Sequence, residues 1–91
     1  MSKFTEDPKA RAERYIAILP KTLEKLEIKP EDRVVSAANV SRVLDSIHRY
    51  LDDARHYSSQ GHPTTSLASI AYAEGLLDAL VFLELAQPKS L

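Results

Sequence analysis

Acidic side chains and one histidine recur at helical spacing in two parts of this 91-residue chain. Asp45, His48 and Asp52 lie at i, i+3 and i+7, and Glu74 and Asp78 lie at i and i+4 further along. Facing helices that present carboxylates and an acid-x-x-His pair build metal sites in helical bundles, and such ligands suit Mg, Mn, Fe or Zn. The five residues are therefore a candidate divalent-metal site, for which a dimer would supply the second copy of the motif.

A simpler interpretation assigns the two aspartates to ion pairs. Asp45 precedes Arg49, and Asp52 precedes His56, by four residues each. Residues at this spacing are neighbours on a helix surface, and such pairs are routine on solvated faces. We prefer this interpretation for the two aspartates, which leaves no cofactor to expect.

Glu74 and Asp78 lie in an otherwise apolar stripe. If that stripe is buried, each carboxylate needs a partner, because an unpaired buried charge costs several kcal/mol. If it is exposed, the two carboxylates keep the helix soluble. The stripe consists of Leu67, Val81 and Leu85, and the nearest candidate partners by helix phase are Arg55, His48, Tyr50 and Tyr57.

Two Arg and His pairs suggest a third kind of site. Arg42 precedes His48 by six residues, and Arg49 precedes His56 by seven. In such a pair His acts as a general acid or base while Arg stabilises a phosphoryl charge. The spacing is similar to that of the helical superfamily called higher eukaryotes and prokaryotes nucleotide-binding, which includes ribonucleases. A polar residue usually follows the Arg in that superfamily, whereas the second Arg here precedes Tyr50.

The first element expected to position these residues is a helix that begins near Asp7. Asp is a favourable N-cap, and Pro8 suits the first helical position, where its missing N–H costs nothing. Pro20 predicts a kink or a division of this helix. Its apolar positions recur at helical spacing: Ala12, Tyr15, Ile16, Leu19, Leu23 and Leu26.

Two further helices follow. The second starts at Pro30 or after a break near residues 36–39, and it stops at Gly61, a natural residue to follow a helix C-terminus. The third starts within residues 64–66 and ends before Pro88. Helices joined by loops this short run antiparallel. We therefore predict an all-α, up-down-up three-helix bundle with a central hairpin of the second and third helices. One domain spans residues 1–91, with frayed tails at 1–5 and 88–91.

The third helix is apolar on every side. Between Ser66 and Ala86 only Glu74, Asp78 and Glu84 are charged. A surface helix normally has one apolar stripe, so this helix is predicted to have two buried sides. We expect one side to bind a partner through Leu76, Leu80 and Leu83. The other is expected to pack closely on the second helix, where Tyr50, Ala54 and Tyr57 lie. The small residues Ala68, Gly75 and Ala79 either let another backbone approach or leave room for the two tyrosine rings.

Composition excludes several classes of protein. The 12 basic and 13 acidic residues are evenly spread, so no basic face predicts nucleic-acid binding. The absence of cysteine excludes disulfides and thiolate metal sites. No apolar signal segment begins the chain, so we expect a cytoplasmic protein. The third helix is as long as a membrane span, but its three carboxylates argue against a membrane.

Residues 71–79, with the sequence AYAEGLLDA, follow the YLDDA run of residues 50–54 and the turn at Gly61. This arrangement resembles an archaeal family called domain of unknown function 357, whose members share the signature YAEG, two residues, DA. The resemblance covers roughly residues 40 to 86, and Pro63 departs from the family's pattern in the turn. It implies a small helical bundle of unassigned activity in an archaeal cytoplasm, and it supplies no catalytic residues.

These observations favour a non-enzymatic helical interaction module that associates with itself or with another protein through its third helix. A metal-binding carboxylate and histidine bundle is the alternative, followed by a ribonuclease-like helical protein. No cofactor, nucleic acid or membrane partner is expected under the leading interpretation.

Overall fold

A computed structural model describes residues 7–29 and 31–87. These residues form three helices, α1 (Pro8–Glu24), α2 (Ala37–Ser59) and α3 (Pro63–Phe82), and no strand lies among them. The all-α architecture is therefore confirmed. The chain divides into two compact units, Met1–Asp32 and Arg33–Leu91. The predicted tails at 1–5 and 88–91 lie outside the described residues, and the single domain over residues 1–91 stays a prediction.

The unit Met1–Asp32 contains α1, which begins as the sequence predicts. The Asp7 carboxylate accepts a hydrogen bond of 3.2 Å from the Lys9 amide, and Pro8 occupies the first turn. The helix runs through Pro20 as one element, so the division is not observed. None of its residues is buried.

In the second unit, α2 begins at the later of the two predicted starts. Ser36 caps it, because its hydroxyl accepts a 3.1 Å hydrogen bond from the Asn39 amide. At the other end Gly61 adopts a φ of 77°, the left-handed conformation that favours glycine. Its N–H donates to the Ser58 carbonyl, and the His62 N–H donates to the Tyr57 carbonyl at 2.8 Å. These two bonds form a Schellman motif, which ends the helix and reverses the chain.

The third helix begins earlier and ends earlier than predicted. Pro63 takes the first helical position, where no amide donor is needed, so the helix starts before residues 64–66. At its other end Glu84 has a φ of 60°, and its N–H donates to the Val81 carbonyl. The Leu85 N–H donates to the Leu80 carbonyl at 2.9 Å, which completes a second Schellman motif. No glycine or proline marks this stop, so the sequence predicted a helix reaching residue 86.

Helices α2 and α3 form the predicted antiparallel hairpin. Near its closed end the Ser66 hydroxyl donates a 2.7 Å hydrogen bond to the Ala54 carbonyl. Further along, the rings of Tyr50 and Tyr72 are tilted by 37°, with centroids 4.4 Å apart. Ser66 near the start of α3 contacts Ala54 near the end of α2, and the later Tyr72 contacts the earlier Tyr50. The two helices therefore run antiparallel.

The core of the described residues is small. Its buried hydrophobic residues are Ala54, Ala73 and Leu80. Two of these three are alanines, so the backbones of α2 and α3 can approach closely. Larger apolar residues around them are half-buried: Val43, Ile47, Leu51, Ile70 and Leu76.

Gly61 and Glu84, which follow the ends of α2 and α3 with positive φ, allow a matched test of their effect on stability. Gly61 has no atom within 4 Å of the position that a Cβ would occupy, so only backbone conformation opposes a side chain there. We expect Gly61→Ala to lower the free energy of unfolding by about 1 kcal/mol, and Glu84→Gly to raise it by about 0.5–1 kcal/mol. Urea unfolding followed by circular dichroism measures both. Glu84→Ala is the control, because it removes the charge and keeps the strained conformation. Equal effects of Glu84→Gly and Glu84→Ala would contradict this account.

Tyr15 on α1 carries a second testable feature. Hydrogen bonds from Arg11 and then Arg14 stabilise its phenolate and hold the pKa of Tyr15 below its ordinary value of 10.0. The folded state therefore releases this proton at lower pH than the unfolded state, and stability rises with pH in the alkaline range where the phenol ionises. Ultraviolet titration of the wild type and Arg11→Ala, with Tyr15→Phe to assign the signal, should show a higher Tyr15 pKa in Arg11→Ala. An unchanged titration curve would rule out this pair.

Candidate functional site

The residues predicted to bind a partner do not share one environment. Leu80 is 3% exposed and lies in the hairpin core, Leu76 is half-buried, and Leu83 is 66% exposed beyond the end of α3. Leu80 therefore packs within its own chain. Of the three predicted interface leucines, Leu83 is the one that presents most of its surface to solvent.

The small residues on α3 also differ from the prediction. Ala68, Gly75 and Ala79 are exposed, and no atom lies within 4 Å of the position of a Gly75 Cβ. They point away from α2. On α2 itself, Ala54 is buried as predicted, and Tyr50 and Tyr57 are half-buried. Close packing of these small residues against the Tyr50 and Tyr57 rings is not observed, and the approach of a partner's backbone to them stays a prediction.

The sequence left the rotation of α3 about its own axis undetermined for a physical reason. Apolar residues surround α3, so hydrophobic periodicity selects no face. The two carboxylates carried the missing signal, because Glu74 and Asp78 are both exposed. Leu76 and Leu80 each follow one of them by two residues, which is roughly 200° around the helix. Placing the acids outward would have placed these leucines inward and added Ala73 to the predicted core.

The candidate metal ligands are not brought together in one chain. All five are exposed: Asp45, His48, Asp52, Glu74 and Asp78. Among the described residues, no group of three or more His, Cys, Asp or Glu side chains is placed to hold a metal ion. Asp45 lines a groove that also contains Tyr72 and Leu76 of α3, and neither Glu74 nor Asp78 lines that groove. The acids of α2 and α3 therefore do not converge on one site.

The structure has other contacts in place of the two predicted ion pairs on α2. Asp52 pairs with Arg55 at 3.6 Å, and both side chains are more than 70% exposed. Arg49 donates a 3.4 Å hydrogen bond to the Ser46 hydroxyl. Exposed pairs of this kind add little stability.

Of the two Arg and His pairs, one separates and one stays on a single face. A spacing of six residues turns a helix by roughly 240°, so Arg42 and His48 lie on different faces of α2. Arg49 and His56, seven residues apart, share a face. The His56 ring packs edge-on against Tyr57, with centroids 5.4 Å apart.

One side of the hairpin is apolar. We call this the apolar side and define it by Leu44 on α2 and Leu77 and Val81 on α3, which share it by helix phase. Their exposed fractions are 39%, 45% and 37%. Leu67 and Phe82 extend apolar surface onto the outer face of α3, where they are exposed. A large exposed apolar patch marks an interaction site, and these residues are the candidates for one on this hairpin.

The opposite side of the hairpin holds a polar groove of about 620 Å³, which we call the arginine groove. Arg42 and Arg49 contribute guanidinium groups, and Tyr72 contributes an aromatic ring. The other lining residues are Asn39, Val43, Asp45, Ser46, Tyr50 and Leu76.

The helix α3 is long and apolar enough, by length and composition, to cross a membrane. Its most apolar window has a mean hydropathy of 1.3, and 11% of that window is buried. A helix that packs inside a soluble protein meets the same criterion, so this property alone assigns no membrane.

Leu80, which is buried, and Leu83, which is exposed, test which face of α3 packs on α2. We expect Leu80→Ala to lower the free energy of unfolding by about 2–3 kcal/mol, because it opens a cavity in the core. Leu83→Ala should change it by less than about 0.5 kcal/mol. Urea unfolding under one set of conditions compares them directly. Equal losses in the two variants would contradict the assignment of Leu80 to the core.

Comparison with known proteins places the chain in a family. The family model described as protein of unknown function (DUF357) matches residues 14–86. The match confirms the resemblance noted in the sequence and extends it from the hairpin into α1. No curated protein and no solved structure matches the chain. Because the match spans most of its length, this protein belongs to the DUF357 family.

Proposed function

We propose that this protein is a non-enzymatic helical interaction module that associates with a second copy of itself, or with another protein, through α3. The observation that supports this most directly is the apolar surface that the hairpin leaves in water. Its buried hydrophobic residues, among those described, are two alanines and Leu80, whereas Leu67, Leu77 and Phe82 are at least 45% exposed.

The size of the core favours association. Burying apolar surface contributes about 25 cal/mol per Å², and a buried leucine or phenylalanine contributes about 1.5–3 kcal/mol. Small domains have few such residues to bury and gain most from further burial in an assembly. Covering Leu77 and Phe82, which are 45% and 82% exposed, would supply what the hairpin lacks.

The shape of the surface favours a helix as its occupant. Leu44, Leu77 and Val81 lie on one side of two antiparallel helices, which gives an elongated apolar surface that suits the apolar stripe of an amphipathic helix. On the outer face of α3, Ala68, Gly75 and Ala79 are small, so a partner's backbone can approach closely there.

The unit Met1–Asp32 offers a second apolar surface to a partner. Ile16, Leu19 and Leu23 lie at helical spacing on α1, and each is more than half exposed. Two apolar surfaces in one chain suit a protein that assembles. The exposed Glu74 and Asp78 beside the apolar side of α3 keep the free chain soluble and favour a partner with basic residues at the edge of its apolar stripe.

Solution mass tests the proposal. We expect sedimentation equilibrium over a concentration series to give a dimer or larger species of the 10.2 kDa chain. Leu77→Glu with Val81→Glu should shift the equilibrium toward monomer by at least about tenfold, because a charge on an apolar contact is not solvated there. Ser58→Glu with Ser59→Glu is the matched control, since both serines are exposed on α2 and the charge change is the same.

The outcomes separate the two kinds of partner. A wild-type chain that remains monomeric throughout the series contradicts self-association and leaves another protein as the partner. Urea unfolding of the monomer then decides whether the apolar side is free. If Leu77→Glu with Val81→Glu lowers the free energy of unfolding as much as Leu80→Ala does, these side chains are packed within the chain and the proposal fails.

A further inference from the structure

We propose that the arginine groove binds a nucleotide-class ligand, meaning a small molecule that joins phosphate to a planar ring. This site lies on the opposite side of the hairpin from the apolar side and does not depend on the proposed function. Its volume of about 620 Å³ falls within the range of ligand sites in proteins, which is roughly 300–1,000 Å³.

The cationic half of the groove suits phosphate. Arg42 and Arg49 lie one heptad apart on α2, and both are exposed. Their Cα atoms are therefore separated by about 10.5 Å along the helix. Two arginine side chains can converge on one anion over that distance, and Ser46 lies between them. The guanidinium fork matches phosphate oxygens in a bidentate geometry, which makes Arg the residue of choice for this chemistry.

Neither arginine is committed to a carboxylate among the described residues. The Asp45 carboxylate lines the same groove, but the ion pair described on this helix joins Arg55 and Asp52 instead. Arg49 donates to the neutral Ser46 hydroxyl at 3.4 Å, a long bond that an anion can replace. The groove therefore presents two guanidinium groups with donors to spare.

The aromatic half of the groove suits a planar ring. Tyr72 is 54% exposed, and its ring is held by Tyr50, whose centroid is 4.4 Å away. A ring fixed on one side and open on the other is a stacking platform, and base-aromatic stacking contributes to binding regardless of which base is present. Leu76 adds apolar surface beside it.

The remaining polar residues distinguish a nucleotide from a bare phosphate. Asp45 accepts hydrogen bonds and repels phosphate, so it favours a ligand that also carries hydroxyl or amino donors. Asn39 both donates and accepts. A nucleotide supplies all of these groups at once: phosphates for the arginines, a ring for Tyr72, and sugar hydroxyls or a ring amine for Asp45.

Titration of the full-length protein with ATP, AMP and inorganic pyrophosphate tests the site, without added metal and at constant ionic strength. Binding is followed by calorimetry and by amide chemical shifts of residues 39–49 and 72–76. We expect saturable ATP binding, weaker binding of AMP because it has fewer phosphate charges, and pyrophosphate at least about tenfold weaker than ATP because it cannot stack. Arg42→Ala with Arg49→Ala should weaken ATP binding by at least about tenfold.

Arg55→Ala is the matched control, because it removes the same charge from the same helix outside the groove; it should leave ATP affinity within about twofold. Tyr72→Leu keeps apolar packing against Tyr50 and should weaken ATP while leaving pyrophosphate unchanged. Absence of ATP binding at millimolar concentration overturns the proposal. An equal loss in Arg55→Ala, or pyrophosphate binding as tightly as ATP, also overturns it by showing general charge attraction. If single-stranded RNA binds the groove and ATP does not, the proposal of a small ligand is overturned in favour of a polymer.

Discussion

The close crossing of α2 and α3 at Ala54 and Ser66 is the constraint on which the second unit depends. A methyl group and a hydroxymethyl group leave little between the two backbones, and the 2.7 Å hydrogen bond to the Ala54 carbonyl fixes how α3 is turned about its axis. The bond itself contributes only about 0.5–1.5 kcal/mol. Its larger effect is selective, because apolar residues surround α3 and only this bond and the outward Glu74 and Asp78 distinguish one face from another.

Once that rotation is set, the other surfaces of the hairpin follow from helix geometry. Ala73 and Leu80 turn inward with Ser66, and Tyr72 meets Tyr50 on one side. Leu77 and Val81 are left on the other side, and the strip that contains Gly75 faces outward. One crossing thus separates a polar groove from an apolar side. The groove and the apolar side share no lining residue.

The sequence predicted the helix boundaries where a residue has a specific local task. Asp7 accepts a hydrogen bond from an amide that the helix cannot satisfy, and Gly61 adopts a φ of 77° that other residues avoid. For α2 the sequence left two starts open, and the Ser36 cap selects the later one. The end of α3 escaped prediction because Glu84 takes the same kind of conformation without the residue type that signals it. The rotation of α3 escaped for a different reason: it depends on a contact between residues twelve positions apart. Periodicity within one helix cannot contain that information.

The same distinction applies to the candidate sites. Spacing correctly placed Asp45 and Asp52 on one face of α2, and Glu74 and Asp78 on one face of α3, but a metal site needs the two faces to converge. In an antiparallel hairpin only the inner faces converge, and these are lined by Ala54, Ala73 and Leu80. Outward carboxylates can meet others only across an interface between copies. The arginine groove needs no such second copy, since α2 supplies the cations and α3 supplies the exposed ring. A ligand that spans both helices would therefore contact the rotation of α3 that the Ser66 hydrogen bond selects.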